Sequence, residues 1–475
     1  MNTPPFSNLD ALWITLLAVT QILYAISFLV DLYFFSRPVN RVDPSEIVAQ
    51  RDLEQPFIVL LYPVLRELEG TMRTTLGALG RMDYPADRFS VVAIPNSDDA
   101  WTIGALHRLQ QEFSFLEILE VPPTTDPQWL KVWRAWDENP NVYWWHRGPF
   151  AGDRNLPPKK TRQMVFAIYE MLKRREGGED FLVNYIDADS APPRDHFLAG
   201  AAGMRSYDVL QSENIAGNLN ASLAASLHAF DHMAWDGMKY RHLSADGRHP
   251  YWMLGKGLFF RASDLEQLGS LNPWIAIEDP EVGMRFWAAG KRLGIISAPL
   301  IEEVPETFGR GVTQRRRWVC GFFQSLGQPL DELGFSPVEK IKAWLNFLPC
   351  LSLWINAVGF PIGVWALAAW IGGADILPTW LTVLCAINLI AFAFSMTCLY
   401  VSTWRRTALV LEHRRDRIAY MLRINPLFIM LWWVAWLIPL ALGLRMVLRD
   451  GGRVWERTEK INANEELLRS QAREA

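Results

Sequence analysis

Phe57-Ile58-Val59-Leu60-Leu61-Tyr62-Pro63-Val64-Leu65-Arg66-Glu67 is the stretch that decides the architecture. Its first half is apolar without alternation, as in a strand buried on both faces, and Pro63 interrupts it. The spacing that follows predicts a helix over 71–79, with Met72, Leu76 and Leu79 on one face. Asp83, Tyr84 and Pro85 break that helix, and a second strand is expected over 89–94. Strand, helix and strand in so short a span signal a right-handed parallel unit of the nucleotide-binding kind, whose ligands sit at strand carboxyl ends. Those ends carry Arg66 and Glu67 after the first strand and Asn96, Asp98 and Asp99 after the second. A third strand, expected over 181–186 after a helix over 161–174, runs directly into Asp187-Ala188-Asp189.

Bulk composition places this unit beside a membrane. Half of the 475 residues are hydrophobic, with 22 Trp and 25 Phe, yet 21% are charged, so the apolar residues must be concentrated in segments. A net charge of −4 supplies no basic field for nucleic acid. Cys320, Cys350, Cys385 and Cys398 lack close-pair metal spacing, which argues against structural zinc or a disulfide framework. Residues 12–36 are long enough to span a bilayer, and Arg37, Arg41 and Arg51 follow them while nothing basic precedes them. The positive-inside rule then puts residue 37 onward in the cytoplasm. Apolar runs return over 343–371, 378–400 and 426–448, with Arg405, Arg406, Arg414, Arg415, Arg417 and Arg423 between the last two. Four crossings would leave Arg449, Arg453, Arg457 and Lys460 outside. One run is therefore expected not to span, and the Trp432, Trp433, Trp436 and Pro439 stretch is the candidate. Pro337 to Leu345 reads either as an interfacial amphipathic helix or as a solvated connector. The expected organisation is an anchor over 1–36, a cytoplasmic catalytic domain over 52–330, interfacial and membrane helices over 331–448 and a cytoplasmic tail over 449–475.

Three clusters can carry chemistry, and each has a plain structural reading beside it. Asp187 and Asp189 at a strand end can aim two carboxylates at one Mg²⁺ or Mn²⁺, which binds through one or two carboxylates plus substrate phosphates; a turn or cap would use the same residues. Glu278 and Asp279 precede Pro280 where a loop enters a helix, and adjacent carboxylates in one cleft raise a pKa toward that of a general base. Either could equally cap the helix. Gln314-Arg315-Arg316-Arg317-Trp318 offers a bidentate phosphate grip and a ring for stacking on a sugar, or a basic flank for anionic lipid. Lys159 and Lys160 can neutralise phosphate or be solvated surface.

Taken together and in order, these clusters resemble glycosyltransferase family 2, in its membrane-integrated branch with the cellulose and hyaluronan synthases. Pro63-Val64-Leu65-Arg66-Glu67 is similar to the Pro-Val-Tyr-Asn-Glu motif, with Leu65 and Arg66 departing from it. Asp98 and Asp99 resemble the acidic pair that contacts the nucleoside, with Asn96 as the alternative counterpart. Asp187-Ala188-Asp189 matches the metal-binding Asp-X-Asp. Glu278 and Asp279 match Thr-Glu-Asp with Ile277 in place of Thr, and Gln314, Arg317 and Trp318 match Gln-X-X-Arg-Trp. Lys159 or Lys160 stands where relatives carry a donor-site lysine. Gly255 to Arg261 resembles an acceptor-side loop, and Trp455, Arg457, Thr458, Glu459 and Lys460 resemble a cytoplasmic motif near the tail. The resemblance implies an α/β fold of the glycosyltransferase A type, with a mixed, mainly parallel sheet. It also implies inverting hexosyl transfer from a nucleotide sugar, UDP-linked by expectation, to a glycan or lipid acceptor. Asp279 would be the catalytic base with Glu278 beside it. Glu67, Asn96, Asp98, Asp99, Lys159, Lys160 and Asp187 would hold the donor, and Gln314, Arg317 and Trp318 the diphosphate and acceptor. Asp187 and Asp189 would bind Mg²⁺ or Mn²⁺. Polysaccharide synthesis at a bacterial inner membrane follows as the expected role. Single-sugar transfer to a lipid and a catalytically inactive scaffold are the alternatives.

Overall fold

The computed structural model describes residues 8–43, 55–139, 141, 154–234, 240–243, 247, 249–372, 377–449 and 461–474. The motif over 455–460, Arg51 and Arg453 lie outside the described residues. Eight strands form one sheet: β1 (Arg41–Val42), β2 (Ile58–Tyr62), β3 (Phe89–Ala93), β4 (Leu116–Ile118), β5 (Leu182–Tyr185), β6 (Val209–Ala216), β7 (Leu258–Arg261) and β8 (Leu293–Glu302). Their spatial order is β1-β8-β6-β7-β5-β2-β3-β4. Every pairing is parallel except those of β7, which runs antiparallel to both β5 and β6. The apolar run read from the sequence is β2, with all five residues buried, as a central strand covered on both faces requires.

The helices before β5 are α1 (Asn8–Phe35), α2 (Glu69–Leu79), α3 (Ala100–Glu112), α4 (Leu130–Glu138) and α5 (Lys160–Arg174). Those of eight residues or more that follow it within the sheet domain are α6 (His196–Gly203), α7 (Leu223–Ala234), α8 (Asp279–Ala288) and α9 (Phe308–Leu326). Register then builds the site. Tyr62 pairs with Ala93, and Leu61 with Tyr185, so β2, β3 and β5 end level with one another. Residues 63–67, 96–99 and 187–189 thus emerge on one edge of the sheet, where a parallel α/β sheet binds ligands. Because β7 is antiparallel and Tyr185 pairs with Leu258, the Gly255–Gly257 loop enters its strand at that same edge. Arg66, in the turn after β2, has φ of 50, a left-handed conformation that favours Gly or Asn over Arg.

Beyond the sheet domain lie α10 (Pro337–Ile371), α11 (Thr379–Thr407), α12 (Arg414–Arg423), α13 (Pro426–Ala435), α14 (Leu437–Arg449) and α15 (Glu465–Glu474). Pro337 to Leu345 is not a separate amphipathic helix. It is the first part of α10, started by a capping box between Ser336 and Glu339 and continuous with the apolar run behind it. Three described helical segments are long and apolar enough to cross a membrane: Asp10–Tyr33, Thr379–Thr407 and Pro426–Arg449. Polar side chains join the first of them to α10 and α11. Tyr24 Oη donates to Asn356 Oδ1 at 2.9 Å, and Asn388 Nδ2 to Gln21 Oε1 at 2.7 Å, contacts typical of helices packed where water is scarce. At the end of α11, Arg406 pairs with Glu213 of β6, and its Nη2 donates to the Asn214 carbonyl at 2.9 Å. The last apolar run is interrupted at Trp436, between α13 and α14. Trp432 and Trp436 both donate to Asp231 of α7 at 3.1 Å, and Gly443 backs directly onto Val319 of α9.

Candidate active site

Four elements bring ionisable side chains to the carboxyl edge of the sheet. From the end of β5, Asp187 accepts from Lys160 Nζ at 2.6 Å, and that ammonium also lies 3.9 Å from Glu278 Oε1. Lys160 stands over the Tyr185 ring, 4.8 Å from its centroid. Tyr185 Oη in turn donates to Asp279 Oδ1 at 2.6 Å. Glu278 is buried; Thr161 donates to its Oε2 at 3.1 Å, while its Oε1 has no hydrogen-bond partner among the described residues. Arg317 of α9 faces the same group and feels the charges of Asp187 and Glu278. Residues far apart in sequence thus share one electrostatic environment.

That environment tunes the base candidate. Burial pushes the Asp279 carboxyl up from its ordinary value and the neighbouring Glu278 charge pushes it further, while Lys160 and the Tyr185 hydrogen bond pull it down. Burial opposes the charge on Lys160, but Asp187, Glu278 and Asp279 outweigh it and hold the ammonium above its usual pKa. Burial lowers Arg317, and Asp187 and Glu278 work against that fall. Space around the base is set by Gly255, where any Cβ would overlap the Asp279 carboxylate. Gly255→Ala should therefore displace Asp279 and cost about tenfold or more in kcat, since misplacing a reacting group by about 1 Å costs on the order of a hundredfold. Initial rates at saturating donor check this, and a rate equal to wild type would show the base to lie elsewhere. Tyr185→Phe removes one of the contacts that lower the Asp279 pKa, so the acid limb of the pH–rate profile should move up. A limb that moved down or stayed in place would contradict the assignment.

The remaining sequence candidates separate. Lys159 is buried and donates to the Ile275 carbonyl at 3.2 Å, while Lys160 reaches the acidic cluster. Asp99 is used as the cap of α3: it accepts from Thr102 and from the Arg66 N–H at 2.8 Å. Asn96 is buried and accepts from Arg162 Nη2 at 2.6 Å, with exposed Asp98 close enough to influence the same guanidinium. Glu67 is buried in the turn after β2. Asp189 is buried and its Oδ2 accepts the Glu303 N–H at 3.0 Å, whereas the Asp187 side chain is 39% exposed. The Ala188 carbonyl between them accepts from Tyr62 at 2.7 Å and Thr75 at 2.9 Å, which fixes the triplet's turn. Buried Gln314 Oε1 has no hydrogen-bond partner among the described residues, and Trp318 packs edge-on to His232. Tyr185, Arg162 and Asp231 escaped the sequence reading, which placed Gly255 in an acceptor-side loop rather than against Asp279. Tyr185 sits two residues before Asp187 on the strand, so its place beside the cluster was the one signal available; Arg162 and Asp231 gave none.

No group of three or more His, Cys, Asp or Glu able to hold a metal occurs among the described residues. The donor set is two carboxylates, one partly exposed and paired with Lys160 and one oriented by a backbone N–H, which suits a hard cation whose other ligands come from substrate phosphates.

The mainly parallel sheet with Asp187 and Asp189 at its carboxyl edge is an α/β architecture like that of the glycosyltransferase A type. Residues 182–448, more than half the chain, match the glycosyl transferase family group 2, and the chain belongs to that family. Among solved structures it is similar to a mannosyltransferase from Pyrobaculum calidifontis in complex with GDP-Man and Mn²⁺. That likeness has 16% identity and a TM-score of 0.55, and covers 93% of this chain and 99% of that one. A fainter likeness, with 13% identity and a TM-score of 0.33, links it to S. aureus TarS 1-349 in complex with UDP-GlcNAc, covering 74% of this chain and 92% of that one. At these identities only the fold is shared, and the second likeness is too weak to carry weight. No curated protein matches the sequence.

Proposed function

We propose that this family 2 glycosyltransferase moves a hexose, with inversion, from a nucleotide-diphosphate sugar to an acceptor hydroxyl at a membrane surface, in polysaccharide synthesis. The observation that carries the reading is the meeting of Asp187, Glu278 and Asp279 with Lys160 and Arg317 at the sheet's carboxyl edge. Asp279, oriented by Tyr185 and made more basic by its surroundings, takes the proton from the attacking hydroxyl. Lys160 and Arg317 offset the charge of the departing diphosphate. Glu67, Asn96, Asp98 and Arg162 surround the nucleoside end, and Gln314 and Trp318 the acceptor. Asp187 and Asp189 would hold Mg²⁺ or Mn²⁺, which when bound would neutralise phosphate charge. The mannosyltransferase of similar fold was solved with Mn²⁺, which supports the same requirement here.

A bacterial inner membrane with the sheet domain on the cytoplasmic side fits the arginines that follow each inward-returning segment. The run over 426–449 begins and ends against the sheet domain, through Asp231 and Val319. Described residues 461–474 also lie on that domain. A single crossing would leave them on the opposite side, so α13 and α14 are assigned to the membrane surface.

The reading is tested with detergent-purified protein and a panel of nucleotide sugars that includes UDP- and GDP-linked hexoses, scored by diphosphate release and product length. UDP-linked donors should be turned over. Release from none of the panel would overturn the reading. EDTA should abolish transfer and Mn²⁺ or Mg²⁺ should restore it, while activity undiminished by EDTA would remove Asp187 and Asp189 from cation binding.

A further inference from the structure

Residues 461–474 return to the sheet domain beside the acidic triplet. Glu303, the first residue past β8, accepts from the backbone N–H groups of Ile461 at 3.1 Å and Ala463 at 2.6 Å, while its own N–H donates to Asp189 Oδ2 at 3.0 Å. Between those donors Asn462 adopts φ of 57, accepts from the Thr74 hydroxyl at 3.1 Å and donates to Glu465 at 2.6 Å. Asn464 seats against Gly217, where a Cβ would overlap its carboxamide. Leu468 closes a small apolar cluster with Ala78 and Ala191, and α15 packs on α2. Ala191 is itself bonded in both directions to Ile301, N–H to carbonyl at 2.8 Å and carbonyl to N–H at 3.0 Å. On the inner face, buried Glu302 accepts from Ser190 and Asn214, each at 3.0 Å, and pairs with Lys256.

The turn that follows the triplet is thus held by the end of β8, and the end of β8 is held by the tail. The fit is specific: a left-handed asparagine, glycines at 70 and 217 where a Cβ would crowd Asn462 and Asn464, and a leucine over two alanines. We infer that residues 461–474 act as a clamp in cis, with Glu303 as both its receptor and a positioning residue for Asp189. Only the cation arm of the test rests on Asp187 and Asp189 being metal ligands.

Hydrogen exchange is measured by mass spectrometry on the full chain, on a chain ending at Lys460, and on Glu303→Gln and Leu468→Asp. Peptides covering 188–191 and 301–304 should exchange about tenfold faster in all three variants, local openings being set by such contacts. Mn²⁺ followed by electron paramagnetic resonance should bind about tenfold more weakly, as loss of a group that orients a ligand does elsewhere. Truncation should add little to Glu303→Gln. Unchanged exchange of those peptides in the truncated chain would overturn the clamp. Faster exchange spread evenly over the sheet would overturn it too, because the tail would then stabilise the whole domain. A full-length chain that binds no Mn²⁺ would remove the metal assignment alone, with exchange still deciding the clamp.

Discussion

Asp279→Asn is expected to lower kcat about 10³-fold while leaving donor affinity within about threefold, because a general base contributes on the order of 10² to 10⁴ and an amide cannot take the proton. The substitution keeps the shape that Gly255 accommodates and an oxygen that can still accept from Tyr185. It removes only the basic site, so loss of transfer with retained donor binding separates chemistry from fold. The pH dependence gives an independent check. Burial and the Glu278 charge raise the Asp279 carboxyl above its ordinary value of 3.8, so the working, deprotonated form is lost as pH falls through a raised pKa. The wild-type acid limb should lie well above that of an ordinary aspartate. Lys160→Met, which removes the cation that pulls this pKa down, should move the limb higher still. Undiminished turnover by Asp279→Asn would end its assignment as base, whatever the other residues do.

What the sequence disclosed follows the range of the forces involved. Unalternating apolar runs and a helical spacing between them were enough for β2, α2, β3, α5 and β5, because burial on two faces leaves a local signature that long-range packing does not alter. The level ends of those strands follow from parallel pairing, so the exits at Glu67, Asn96 and Asp187 were legible as one edge. Which lysine of the 159–160 pair faces the edge was not. It depends on where α5 begins: Lys159 precedes its first turn and Lys160 opens it. Asp99 carries a local role the sequence did not single out, since an aspartate at a strand exit is also suited to capping the next helix, and here it accepts from Arg66 N–H and Thr102. The docking of residues 461–474 was invisible because its receptor, Glu303, lies 158 positions from Ile461, and a carboxylate accepting backbone N–H groups leaves no pattern in either segment. The same holds for Asp231, an isolated acid in a helix whose partners come from α9, α13 and the break after it.

Asp231→Ala should be strongly destabilising. Arg315 is 1% exposed; it donates to Asp231 through Nη2 at 2.6 Å and Nε at 3.2 Å, and Trp432 and Trp436 donate to the same carboxylate at 3.1 Å. Removing the acceptor strands a buried guanidinium among three indole rings, Trp318, Trp432 and Trp436, and leaves two indole N–H groups unmatched. Breaking one side of a buried ion pair costs about 3–5 kcal/mol, far more than the pair contributes over an apolar replacement of similar size. The cost falls on the junction between α9, which carries Gln314, Arg317 and Trp318, and the Trp-rich run over 432–436, so the detergent melting transition should drop and transfer should fail with it. Pairing Asp231→Leu with Arg315→Met removes both charges at once and should recover most of the lost stability, because no buried charge is then left uncompensated. If Asp231→Ala melts as wild type does, or if the double variant is no better than the single one, the ion pair is not what joins α9 to the membrane-proximal helices.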